Sequence, residues 1–206
     1  MKDDFPTLLH RAQRQLNEGA AEAAKTARQL AKRFPRAPET WLVLGVLARR
    51  EGRLSEAEQG FRKLAELAPG HPEPWRQIGL TRQAALDREG AERAFRQALA
   101  AAPTDPGLLC HLGQVLRETG RLSEAEDHFR QAEIPPGWMG LAECLIERGR
   151  PDLIAEPCER ALAAEPTSPQ AALRLAQVRL MAGRFAEAEA IAATIAPAGP
   201  AAAVAL

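Results

Sequence analysis

The residue types that most often carry out chemistry are few and dispersed in this chain. Its four histidines are His10, His71, His111 and His128. Only His71-Pro72-Glu73 has metal-ligand character, because a His beside a carboxylate is part of the facial triad that holds non-haem iron. The triplet falls in a predicted junction between helices, where polar turn residues are expected. We therefore predict a turn here and no metal site.

The three cysteines and the known catalytic motifs also give no sign of a reaction. Cys110, Cys144 and Cys158 are an odd number without close spacing, which fits small core residues better than a disulfide framework or a metal knuckle. The sequence contains no HExxH, no Gly-rich phosphate loop, no GxSxG and no CxxC. We accordingly predict a protein that is not an enzyme and that uses no cofactor.

Composition and charge limit the possible partners and compartments. The 206 residues include 27 Lys and Arg against 27 Asp and Glu, so the chain as a whole has no field that attracts nucleic acid. A basic string, Lys25 to Arg36, lacks the interleaved aromatics of a nucleic-acid surface. No stretch approaches the roughly 20 apolar residues of a membrane span, and the acidic start is unlike a secretory signal. We expect a cytoplasmic protein without nucleic-acid partners.

A 34-residue period organises the elements that would position any site. The heptapeptide Gly-Arg-Leu-Ser-Glu-Ala-Glu occurs at 52–58 and again, unchanged, at 120–126, an offset of twice 34 residues. A looser copy lies at 183–189. The single period is visible where Trp41, Gly45, Ala57, Phe61 and Pro69 map onto Trp75, Gly79, Ala91, Phe95 and Pro103.

These anchors resemble the tetratricopeptide repeat (TPR) family, whose signature is W-x2-L-G-x2-Y, then A-x3-F, then P. Trp41-x2-Leu44-Gly45 fits the first part, and looser copies begin at Leu109, Trp138 and Ala172. The Tyr slot departs from the signature in every copy. The resemblance implies an all-α fold, a right-handed α-solenoid of about six TPR helix-turn-helix repeats.

Hydrophobic spacing independently predicts paired helices. Trp41, Leu44, Gly45 and Ala48 fall on one face of a helix, and a second such face follows the Gly-Arg turn at 52–53. We therefore predict a single array of six helix pairs over 1–206, in which stacking of neighbours supplies the stability. The predicted pairs are 4–37, 38–71, 72–105, 106–134, 135–168 and 169–200, with 201–206 a tail or the start of a further helix.

Local signals mark where the helices begin and where the repeat is irregular. Asp105-Pro106 and Ser168-Pro169 place a capping side chain before a helix-starting proline. Ser55-x-x-Glu58 and Ser123-x-x-Glu126 each fit a capping box. Trp138 follows Leu109 by 29 residues, so the second helix of the fourth repeat should be short by about one turn. Pro157 falls inside the expected second helix of the fifth repeat, where an interior proline predicts a kink.

Each predicted first helix carries a second stripe beside its Trp-Leu-Gly face. In the TPR family these positions line the concave surface where peptides bind, so the resemblance implies a groove here. Packing within a repeat is already supplied by the anchor face, so the apolar stripe residues need another partner. That partner is either a ligand, the neighbouring first helices or the chain's own tail. The predicted groove residues are Leu42, Val46, Arg49, Arg76, Leu80, Gln83, Cys110, Gln114, Arg117, Met139, Glu143 and Ile146, with Leu8, Ala12 and Gln15 before them and Leu173, Gln177 and Leu180 after them.

The stripe predicts the chemistry of the ligand. Arginine offers a fork of donors to carboxylates, while Leu, Val and Met contact apolar side chains. We predict an adaptor or scaffold whose partner is a protein or peptide with apolar and acidic residues. The family resemblance leaves an alternative, the N-terminal substrate-recognition region of a larger bacterial enzyme of sulfotransferase or 2-oxoglutarate/iron oxygenase type. Apolar residues in the last repeat also permit self-association through the end repeats.

Overall fold

The computed structural model describes residues 4–19 and 22–195, which fold into α-helices paired by short turns. They form two compact units, divided between Pro103 and Thr104 and here called unit 1 and unit 2. Unit 1 contains α1 (Phe5–Glu18), α2 (Ala23–Arg33), α3 (Pro38–Arg50), α4 (Leu54–Leu67), α5 (Pro72–Ala84) and α6 (Arg88–Ala101). Unit 2 contains α7 (Pro106–Glu118), α8 (Leu122–Ala132), α9 (Pro135–Glu147), a 3₁₀ turn (Pro151–Leu153), α10 (Ala155–Ala164), α11 (Pro169–Met181) and α12 (Phe185–Ile195).

Prolines and acidic caps fix where the first helices begin. Five of the six first helices start at a proline, whose missing N–H costs nothing at the first helical position. Asp105 caps α7 by accepting a hydrogen bond from the Leu108 N–H at 2.8 Å. Ser168 was predicted to do the same for α11, but its side chain makes no capping hydrogen bond.

The two predicted capping boxes are wrong. Ser55 and Ser123 lie one residue inside α4 and α8, which begin at Leu54 and Leu122, and no side chain caps either helix. Glu58 and Glu126 instead bind arginines in the last turn of the next first helix or directly after it. Glu58 accepts from Arg82 at 2.7 Å, and Glu126 accepts from Arg148 at 2.6 Å. The side chains that resemble a local cap therefore connect successive repeats.

The core of each unit is built from aromatic and small residues on facing helices. In unit 1, Phe61 and Phe95 are fully buried, and the glycines Gly45 and Gly79 let each ring approach the backbone of the first helix. In unit 2, Phe129 is buried in the same way against Gly113 and Gly140. This Gly–Phe contact sets the close spacing within a helix pair and thereby leaves the stripe side chains on the outside.

The fourth and fifth repeats agree with the prediction in the length of α8 and differ from it at Pro157. Helix α8 has 11 residues where α4 and α6 have 14, so the expected loss of a turn is present. The predicted kink at Pro157 is wrong. Helix α10 starts late, at Ala155, after the 3₁₀ turn, so Pro157 lies in its first turn, where the missing N–H has no intrahelical partner to lose.

Candidate functional site

Twelve of the predicted groove residues, those on α3, α5, α7 and α9, are half-buried, so they contact the protein on one side and remain accessible on the other. The three predicted on α11, which are Leu173, Gln177 and Leu180, are exposed. In unit 1 the stripe comprises Leu42, Val46 and Arg49 of α3 with Arg76, Leu80 and Gln83 of α5, and these two helices are in contact. In unit 2 it comprises Cys110, Gln114 and Arg117 of α7 with Met139, Glu143 and Ile146 of α9, which are also in contact.

The first repeat does not extend the unit 1 stripe as expected. Leu8 and Ala12 are fully buried and belong to a core cluster with Leu30 and Val43. Leu8, Ala12 and Leu16 recur every four residues, so α1 turns this face towards α2 and α3, with which it is in contact. Of the three residues predicted in α1, only Gln15 stays half-buried, and its side chain accepts a hydrogen bond from the Thr26 hydroxyl at 2.7 Å.

Arg49 is one of the two arginines in the unit 1 stripe. Its guanidinium is half-buried and forms no ion pair with a carboxylate among the described residues. Burial lowers the pKa of Arg49 below its usual value, and the neighbouring cations Arg50 and Arg76 lower it further, while Glu73 acts in the opposite sense. The carboxylate of an incoming ligand could pair with such a half-buried cation.

Arg76 is held by a carboxylate that the sequence analysis did not place in the site. Glu73 accepts a hydrogen bond from Arg76 Nε at 2.8 Å and another from Gln77 Nε2 at 2.8 Å. The i, i+3 spacing of Glu73 and Arg76 on one helix is the signal that could have revealed the pair. Glu73 also has the N–H that donates to His71 Nδ1 at 3.2 Å, so the His71-Pro72-Glu73 triplet caps α5.

Arg117 of the unit 2 stripe forms ion pairs with two carboxylates. It lies 3.0 Å from Glu143 and 2.5 Å from Glu147, so its charge is already compensated. These three residues, with Ile146 and Arg174, line a cleft of about 280 Å³. Glu147 and Arg174 were absent from the predicted set, because their meeting with Arg117 depends on how α7, α9 and α11 pack.

The cysteines are packing residues. All three are free thiols, and Cys144 and Cys158 are fully buried. Burial raises the pKa of Cys110 to about 11, that of Cys144 to about 12 and that of Cys158 to about 11. A thiol with so high a pKa is protonated at neutral pH and is a poor nucleophile.

Two further kinds of feature, metal clusters and membrane-spanning helices, are absent from the part of the chain that the structure describes. Residues 4–19 and 22–195 hold no cluster of three or more His, Cys, Asp or Glu side chains that could bind a metal ion. None of the helices in the same ranges has the length and apolarity to cross a membrane.

Comparison with known proteins identifies the class of this fold. One model of the tetratricopeptide repeat family matches residues 11–72 and 76–137, and another model of the same family matches 155–206. The chain belongs to the tetratricopeptide repeat family. Its all-α, TPR-type solenoid fold is therefore confirmed, and this fold is typical of protein–protein interaction scaffolds. No curated protein is similar enough in sequence to be matched.

Solved structures show the same fold at low sequence identity. PilW, a widely conserved type IV pilus biogenesis factor, superposes with a TM-score of 0.74 at 17% identity over 89% of each chain. Yeast Tom70 gives 0.74 at 18% identity, over 92% of this chain and 43% of Tom70. The pilF protein of Pseudomonas aeruginosa gives 0.69 at 19% identity, over 79% of this chain and 78% of pilF. Likeness at this identity defines the fold.

Proposed function

We propose that this protein is an adaptor that holds a peptide segment of a partner on the unit 1 stripe, and that the segment carries an acidic residue beside apolar ones. Arg49 carries the proposal, because it is a half-buried guanidinium with no carboxylate partner among the described residues. Leu42 and Val46 flank it on α3, and Leu80 follows on α5. A ligand that pairs a carboxylate with Arg49 and packs apolar side chains on these three residues matches both the charge and the apolar surface of the stripe.

The three arginines of the predicted groove have different roles in this proposal. Arg49 is available to the ligand, whereas Arg76 is oriented by Glu73 and Arg117 is neutralised by Glu143 and Glu147. Replacing Arg76 or Arg117 by Glu would place like charges together and disturb the helices. The informative substitution is therefore Arg49→Glu alone.

The experiment compares peptides and variants at one site. Purified wild type is screened against an array of peptides from the source proteome, and each peptide that binds is measured again by isothermal calorimetry. Arg49→Glu should weaken binding of acidic–apolar peptides by at least about tenfold, the effect of losing one charge-assisted contact and adding a repulsion. Lys32→Glu is the matched control, because Lys32 is exposed on α2 and lies outside the stripe. Equal affinity of wild type and Arg49→Glu would disprove the proposal.

A second candidate function rests on the last helix pair of unit 2. Several large apolar side chains of α11 and α12 are exposed: Leu173 and Leu180 by 44%, Phe185 by 68% and Met181 by 74%. Large exposed apolar patches mark interaction sites in proteins, and these four side chains lie on two helices that are in contact. We propose self-association through this face, and its test is given at the end of the Discussion.

A further inference from the structure

Unit 2 contains a cleft on the other side of α9 from its stripe residues. It has a volume of about 350 Å³ and lies between the end of α8 and the start of α10. Its apolar walls are formed by Trp138, Leu141 and Leu145 of α9 and by Leu153 and Pro157. This volume is at the lower end of the range for ligand pockets, which suits one or two side chains of a partner.

This cleft, here called the Trp138 cleft, is lined by four charged side chains, which differ in whether they form ion pairs. Arg130 binds Glu126 at 3.1 Å and Asp127 at 3.6 Å. Arg160 binds Glu156 at 2.9 Å, and its guanidinium lies 4.8 Å from the centre of the Trp138 ring. Glu133 is the one charged residue lining the cleft that has no counter-ion among residues 4–19 and 22–195. The cleft therefore offers an unpaired carboxylate beside an apolar surface.

Glu133 also adopts an uncommon backbone conformation. It ends α8 with φ of 49°, in the left-handed region that glycine usually occupies at this position. The second helices α2, α4, α6 and α10 end with negative φ. A non-glycine residue in this region costs about 1 kcal/mol or more, and such strain tends to occur at functional sites. The strained backbone thus lies where the Glu133 side chain lines the cleft.

From this arrangement we infer that the Trp138 cleft is a second docking site, whose occupant is a partner helix with an apolar side chain one turn from a Lys or Arg. The apolar side chain enters between Trp138, Leu145 and Leu153, and the cation pairs with Glu133. The stripe of unit 1 selects an acidic ligand, so the two sites prefer segments of opposite charge. The inference stands without the proposed function, because it uses other residues.

Unit 1 supplies an internal control for this site. A cleft of about 520 Å³ is floored by Trp41, Leu44 and Ala48, which occupy the repeat positions of Trp138, Leu141 and Leu145. Its lining includes Arg28, which forms no ion pair among the described residues, in place of an unpaired carboxylate. The Trp41 indole N–H donates to the Pro35 carbonyl at 2.8 Å. The two clefts thus share an aromatic floor and differ in the sign of the unpaired charge.

The test is an NMR titration that follows the indole N–H signals of the full chain, assigned by Trp→Phe substitution. The probes are two alanine-based helical peptides that carry a Leu with either a Lys or a Glu four residues later. We expect the Lys peptide to shift the Trp138 signal at millimolar concentration and to leave the Trp41 signal unchanged. The Glu peptide should leave the Trp138 signal unchanged.

Variants then separate a charge contact from a structural effect. Glu133→Gln should weaken binding of the Lys peptide by up to about fivefold, the value of an exposed ion pair. Glu165→Gln, at the exposed end of α10, should bind as wild type does. Glu133→Gly should lose the same affinity while its melting temperature rises, because glycine relieves the strained φ. An unchanged Trp138 signal, equal responses to both peptides, or full affinity in Glu133→Gln would each overturn the inference.

Discussion

At the scale of single residues, two glycines of one helix pair have opposite roles. A Cβ added to Gly45 of α3 would lie 2.4 Å from Cε1 of the buried Phe61 ring. A Cβ added to Gly60 of α4 would lie 3.4 Å from its nearest neighbour, the Gly45 backbone, which is an ordinary contact. The first glycine is required by packing, whereas the second contributes only backbone freedom.

This difference predicts stability changes of opposite sign. Gly45→Ala should lower the free energy of unfolding by about 1–3 kcal/mol, because a packed ring must move. Gly60→Ala should raise it by up to about 1 kcal/mol, because alanine is the better helix former. Urea unfolding followed by circular dichroism measures both. Stabilisation by Gly45→Ala would show that the Gly–Phe contact does not set the spacing of the helix pair.

Burial of the three thiols predicts both their reactivity and a dependence of stability on pH. At pH 8 the folded thiolate population should be about 100-fold below that of a free cysteine with the ordinary pKa of 9.0, since burial raises the pKa of Cys110 to about 11. Iodoacetamide should therefore label the native chain slowly and the urea-unfolded chain fast. The unfolded state loses its thiol protons first, so stability should fall as pH rises above 9. Rapid native labelling of Cys144 would contradict this.

At the scale of elements, one turn breaks the pattern of the others. The turn within a helix pair has a glycine with positive φ at Gly52, Gly120, Gly149 and Gly183. In the third pair this position is Leu86, with φ of 60° and 76% of its surface exposed. The turn geometry is imposed by the helix pair, so Leu86 adopts the left-handed conformation although it is strained for a leucine.

Leu86→Gly should therefore stabilise the protein. Removing a left-handed leucine relieves about 1–2 kcal/mol of strain, partly offset by the greater freedom of glycine in the unfolded chain. A net gain of about 1 kcal/mol corresponds to roughly 2–4 °C in melting temperature for a chain of this size. Leu86→Ala is the control, since alanine keeps the strained φ and should give no such gain. Equal melting temperatures of the two variants would show that strain at this turn is negligible.

The elements also show what sequence alone could predict. Anchors such as Trp41 and Phe61 recur at fixed intervals and identified the helix pairs, because packing within a pair repeats with the period. Pro157 was misjudged, since a late helix start moved it into a first turn. The half-buried stripe followed from helical spacing, but the partners of Arg117 did not, because they lie on α9 and depend on tertiary packing.

At the scale of the whole molecule, the exposed apolar face of α11 and α12 bears on assembly. Phe185 occupies the repeat position of Leu54 and Leu122, which are half-buried, yet it is 68% exposed, and Met181 nearby is 74% exposed. Exposing two such side chains in a monomer is unfavourable, and burying them against a second copy would recover about 1.5–3 kcal/mol for each. The same patch on both copies gives a closed, two-fold contact.

Self-association should therefore depend on these side chains. In sedimentation equilibrium, the weight-average mass of the wild type should rise with protein concentration towards that of a dimer. Met181→Lys/Phe185→Lys should remain monomeric, because the free energy needed to desolvate two cations exceeds the free energy gained from the apolar contact. Leu86→Lys is the matched control, as it adds a charge at an equally exposed leucine of unit 1. A wild type that stays monomeric at every concentration would leave this face without a role in self-association.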